Sequence, residues 1–166
     1  MMGITWLKQK QLPAMICTVT CFLFSTAAAA QITAVSTAQQ LSFGAFSQGN
    51  SGGTVTVNAS GTRSSTGDVI LVNMGVSYFP AIFEVEAAQG TIINIVNGPD
   101  VPLNGSNGGS MQLHIGNADQ TLPFVTTATP PARTSVKIGA TLTVGARAAN
   151  PPGNYSGTFS VTFIQE

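Results

Sequence analysis

Glu84 and Glu86 stand two residues apart in Ala81-Ile82-Phe83-Glu84-Val85-Glu86-Ala87. On a strand that spacing projects both carboxylates from one face, where such a pair can work as acid and base or hold a calcium ion. The alternation around them supports a plainer reading: a solvated sheet face, backed by Ala81, Phe83, Val85 and Ala87 on the inner side. His114 is the one histidine of the chain, and the alternation of Met111, Leu113 and Ile115 turns it outward. A single imidazole cannot make a zinc site without several carboxylates beside it. Asp68 after Gly67, and Asp100 in Gly98-Pro99-Asp100, have the setting of carboxylates that accept turn N–H groups. Gly105-Ser106-Asn107-Gly108-Gly109 is glycine-rich, but no lysine follows it and no helix opens from it, so it is not a phosphate loop. The inventory holds no nucleophile with a base and no ligand set. Neither an enzyme nor a cofactor is expected.

The elements that carry these residues begin after a targeting segment. Lys8 and Lys10 precede Ala14 to Phe24, an apolar run of eleven residues, and Ser25 to Ala30 is a string of small residues. Ala28 and Ala30 occupy the small positions of an A-x-A cleavage site, so residues 1–30 read as a signal peptide. The run is too short to span a bilayer, which takes roughly 20 apolar residues, and no later stretch approaches that length. Export without membrane insertion after cleavage is therefore expected, to the periplasm, the cell surface or the medium. Cleavage after Ala30 leaves Gln31 to Glu166, 136 residues forming one domain. Cys17, Cys21 and Trp6 leave with the signal, so the remainder has neither disulfide nor thiolate.

The mature chain carries four cations (Arg63, Arg133, Lys137, Arg147) and six anions (Asp68, Glu84, Glu86, Asp100, Asp119, Glu166), a net charge of −2. No basic stripe exists to bind nucleic acid. Charged residues make up 7% of the chain, far below the usual quarter. Ser, Thr, Asn and Gln supply the polarity instead, as on uncharged faces of extended strands.

Period-2 alternation bounded by Gly, Asn and Pro recurs along the chain, and helical periodicity does not. Strands are expected at 41–46, 54–59 and 69–72, the last buried on both sides. Further strands are expected at 81–87, 91–96, 110–115, 135–146 (with Gly139 and Gly145 as bulge or bend points) and 155–164. Residues 60–68, 97–109 and 126–131 read as connections. About eight short strands without helices indicate an all-β fold, a single β-sandwich of the immunoglobulin-like or pilin-like kind with 7–9 strands.

The last segment, Gly153-Asn154-Tyr155-Ser156-Gly157-Thr158-Phe159-Ser160-Val161-Thr162-Phe163-Ile164-Gln165-Glu166, places a glycine fourteen residues from the end. Tyr155, Gly157, Phe159, Val161 and Phe163 then alternate with mostly small polar residues. The simplest reading is a core strand that closes the domain. The pattern is also similar to the ends of chaperone–usher pilus subunits, although Gln165 stands where that family has an aromatic and the cysteine pair of many pilins is missing. That resemblance implies strand addition: main-chain bonds supply affinity and alternate side chains fill pockets. The receiving segment would be Gly153, Tyr155, Gly157, Phe159, Val161 and Phe163. The donor would be the N-terminal stretch with Ile32, Ala34, Ser36 and Ala38.

The motifs at 41–46, 52–57, 60–63, 66–69, 138–146 and 153–159 together resemble a bacterial family of secreted proteins of unknown function. That family is similar in layout to spore coat protein U and, more distantly, to chaperone–usher pilins. The family resemblance implies a β-sandwich and export. With the signal peptide, the pilin-like last segment, the low charge and the absent catalytic set, the leading expectation is an exported structural surface protein, a pilin-like or coat-like subunit, with a periplasmic chaperone and copies of itself as partners. The alternative is a soluble extracytoplasmic module that binds a ligand or carbohydrate, with Tyr78 and Phe79 as its aromatic candidates.

Overall fold

The structure is a computed structural model that describes residues 31–166. The signal-peptide reading, with Ala28 and Ala30 at its cleavage site, lies outside the described residues.

Alternation in the sequence becomes strands because each one hides an apolar face against another. In chain order they are β1 (Ile32–Gln39), β2 (Ser42–Phe43), β3 (Phe46–Val57), β4 (Arg63–Leu71), β5 (Tyr78–Phe79), β6 (Ala81–Ala87) and β7 (Ile92–Asn97). There follow β8 (Val101–Gly105), β9 (Ser110–Ala118), β10 (Phe124–Val125), β11 (Thr134–Val144), β12 (Tyr155–Ser156) and β13 (Val161–Gln165). Among the described residues nine strands have five or more residues, four have two, and there is no helix.

The layers form a β-sandwich. A large curled sheet runs β1-β6-β11-β9-β8-β12, and the β3–β4 hairpin joins it through β11. A smaller sheet runs β10-β7-β13, and β2 pairs with β5 apart from both. The long β11 is the hinge of this arrangement. Residues 134–138 pair with β6 and residues 140–144 pair with β3, both on one edge. Gly139 lies at the handover: a Cβ there would stand 2.6 Å from Val57 O and 2.8 Å from Ala59 N. On the other edge the register to β9 shifts between Ile138 and Ala140. The expected bulge at Gly139 is thus present, and it lets the sheet curl by changing partners.

Two apolar clusters fill the sandwich. One gathers Val55, Val57, Leu103, Met111, Leu113 and Leu142 inside the curl. The other gathers Val85, Ile93, Ile95, Ile115, Phe124, Val136 and Ile138 between the layers. Phe159 packs against both.

Several expected boundaries move. Residues 41–46 are not one strand, because Gly44 (φ 69°) separates β2 from β3. The expected connection at 60–68 is mostly β4: the turn is Asn58–Thr62, closed by Gly61 N donating to Asn58 O at 2.9 Å. β4 lies at an edge with Ser64 and Thr66 facing water, so it shows no hydrophobic period. The expected loop 97–109 contains β8, whose buried Leu103 is flanked by Pro102 and Asn104. The 69–72 strand is not buried on both sides: Val69 is buried, whereas Ile70 is 66% exposed.

Candidate functional site

The expected last strand divides into two pieces that serve different layers. Tyr155 and Ser156 pair with Gly105 and Asn104 of the large sheet. Val161 to Gln165 pair with β7 of the small one. Residues 157–160 cross between the layers outside any strand. Gly157 fits the crossing because a Cβ would come within 2.8 Å of Leu103 Cδ2 and Pro102 O. Both β12 and β13 end their sheets, so each presents a second edge without a strand partner.

The phase of the alternation is as the sequence indicated, but the depth is not that of a sealed core. Tyr155, Phe159, Val161 and Phe163 are each only half-buried, while Gly153 and Gly157 are exposed. Phe163 meets Phe83 with ring centroids 5.6 Å apart, and Tyr155 Oη donates to Pro151 O at 2.7 Å.

Beside this segment lies a groove of about 780 Å³. Residues 40–48 form one wall, and residues 151–157 with Phe159 form the other. Its floor is core: Leu103, Met111, Leu113 and Leu142. Away from the groove, at the far end of the last strand, Ile32 N donates to Gln165 Oε1 at 3.1 Å. The chain from 32 to 48 therefore runs opposite to the chain from 153 to 166, touching it at one end and standing off across the groove at the other.

The walls are held by polar groups the sequence reading had not singled out. Arg63 Nη1 donates to Phe43 O at 2.9 Å and to Ala45 O at 3.1 Å, bracing the Gly44 turn. Its guanidinium lies 4.4 Å from the centre of the Tyr78 ring. At the opposite wall the buried Asn150 donates to Ser110 O at 2.7 Å and accepts from Gly145 N, and Gln48 Nε2 donates to its carbonyl. A lone arginine in a stretch otherwise made of Ser, Thr and Gly was the signal available for Arg63. Asn150, inside Ala-Ala-Asn-Pro-Pro, offered none beyond its turn chemistry.

The proposed donor stretch is β1 itself, paired antiparallel with β6 of the same chain. Ile32, Ala34 and Ser36 are half-buried and Ala38 is exposed. Register shifts flank it between Ile32 and Ala34 and between Thr37 and Gln39. Its polar tie is Arg133, which donates through Nη1 to Ser36 Oγ (2.9 Å) and through Nε to Glu86 Oε2 (3.1 Å).

The remaining titratable candidates scatter. Glu86 is taken up by Arg133. His114 is exposed, with Nδ1 at 2.7 Å from Asp100 Oδ1. Among the described residues no three of His, Cys, Asp and Glu are placed to hold a metal ion, and no helix is long and apolar enough to cross a membrane. Tyr78 and Phe79 are adjacent on a two-residue strand, so they point to opposite sides.

No curated protein and no solved structure matches the chain. A family model does match, over residues 32–164, which spans every strand from β1 to β13 but for the final residue of the last: the chain belongs to the DUF4402 family, a domain of unknown function.

Proposed function

We propose that this protein is an exported structural subunit of the cell surface, pilin-like or coat-like, assembled by strand addition. One observation carries the reading: the groove floored by core side chains lies beside residues 151–157 and Phe159, where β12 ends the large sheet with a strand on one side only. A strand laid there would bond that edge and cover Tyr155 and Phe159, adding main-chain bonds and apolar burial together. The likeness of the last fourteen residues to chaperone–usher pilins and of the chain's layout to spore coat protein U supports the same reading. An open groove of this kind is an aggregation hazard before assembly, so a periplasmic chaperone is the partner expected to cover it first.

The donor is β1 of a second copy. It carries no charge and no proline, sits at a sheet edge, and buries none of its side chains fully. Releasing it breaks its pairing with β6, a loss that new pairing along the neighbour's groove edge would have to offset.

The test is a gel of the cell-surface shear fraction, run with and without boiling and probed for this protein. A ladder at multiples of the mature mass that collapses on boiling is expected. A monomer band in both lanes, with the protein soluble in periplasm or medium, refutes the assembly and leaves the ligand-binding module as the working reading.

A further inference from the structure

Both methionines of residues 31–166 stand on the groove. Met111 belongs to its floor and is 2% exposed. Met74 overhangs it at 75% exposure, with Val76 at 55% beside it. Such exposure of two neighbouring large apolar side chains, next to an apolar cleft, leaves transfer free energy unclaimed.

The segment that carries them, residues 72–77 between β4 and β5, is fastened at both ends. Val72 N donates to Ala45 O at 3.1 Å. Ser42 Oγ donates to Ser77 O at 2.8 Å, and Tyr78 is held under Arg63. Between these anchors the tip is loose. Gly75 N reaches Asn73 Oδ1 only at 3.4 Å. Gly75 has φ +75°, with nothing within 4 Å of the place a Cβ would take. Two of the anchoring partners, Ser42 and Ala45, belong to the groove wall itself, which keeps the tip beside the groove.

The geometry points to a lid: residues 73–76 fold over an apolar strand seated in the groove, and Met74 and Val76 seal the side its walls leave open. The occupant is a strand from a second copy, which rests on the assembly reading above; closure itself needs only an apolar occupant. In the empty groove both side chains stay exposed.

The two methionines are built-in reporters, since oxidation of a thioether follows its exposure. The full mature chain is treated with dilute hydrogen peroxide, and the rate at each methionine is read by peptide mass spectrometry. The samples are the free monomer, the monomer saturated with anilinonaphthalene sulfonate, and the boiling-sensitive ladder. In the free monomer Met74 oxidises at least about tenfold faster than Met111. With the dye bound, and again in the ladder, Met74 slows at least about threefold while Met111 stays slow. Ala45→Trp, which fills the groove from its wall, abolishes dye binding; Ser156→Trp, at an exposed position on the other wall, serves if that variant does not fold. Met74 remaining fast with dye bound, or dye binding that survives a filled groove, overturns the lid. Protection by the dye without any ladder retains the lid and removes the assembly reading.

Discussion

Phe159→Ala separates a sealed core from an open groove. At a fully buried site, truncating Phe to Ala costs about 3–5 kcal/mol, made of a transfer part and a cavity part. Phe159 touches both apolar clusters, yet it is half-buried and faces the groove. Removing its ring widens a cleft already open to water and leaves no sealed void, so the cavity part largely falls away. The transfer part, at about 25 cal/mol per Å² over roughly 100 Å² of ring kept from water, is about 2.5 kcal/mol. Urea unfolding of the mature monomer measures the loss, with Ile164→Ala as the comparison. Ile164 lies five residues on, points outward and is 45% exposed; its truncation should cost less than about 1 kcal/mol. A Phe159→Ala loss below about 1 kcal/mol would show that the ring does not join the two clusters. A loss above about 4 kcal/mol would show that the groove is closed in solution.

Arg63→Ala strips two carbonyls of their donor and uncovers Tyr78, and should lower stability by about 2–3 kcal/mol in the same assay, with Arg63→Lys recovering only part because an ammonium lacks the planar fork. Gly53→Ala should cost at least about 2 kcal/mol or prevent folding, since its Cβ would stand 2.0 Å from Thr66 O in the β3–β4 pairing. Gly75→Ala meets open space and should cost only about 1 kcal/mol, the strain of a left-handed backbone on a residue with a Cβ; equal losses for the two glycines would contradict this account of β3.

Much of this protein was legible in its residues because strand phase is a local property. Val55 and Val57, Val85 and Ala87, Met111 with Leu113 and Ile115, and Val136 with Ile138 alternate with polar neighbours, and all of them are buried. Gly139 announced its bulge because a glycine inside such a run has little other use there. The first half of β4 and the short β8 escaped the alternation, since residues 63–68 carry no large apolar side chain at an edge and β8 buries only Leu103, between Pro102 and Asn104. Composition and alternation thus determined an all-β sandwich, which side chains enter its core, and that the last segment is apolar on one face. Only the tertiary structure decided which edges meet. Pairing is made between residues far apart in the chain, and alternation says which face is buried but never what covers it. The change of partners along β11, the division of the last segment between two layers and the docking of β1 on its own β6 are all choices of that kind. So is the groove left between residues 40–48 and 151–159, with Phe159 half-buried in it and Met74 exposed beside it.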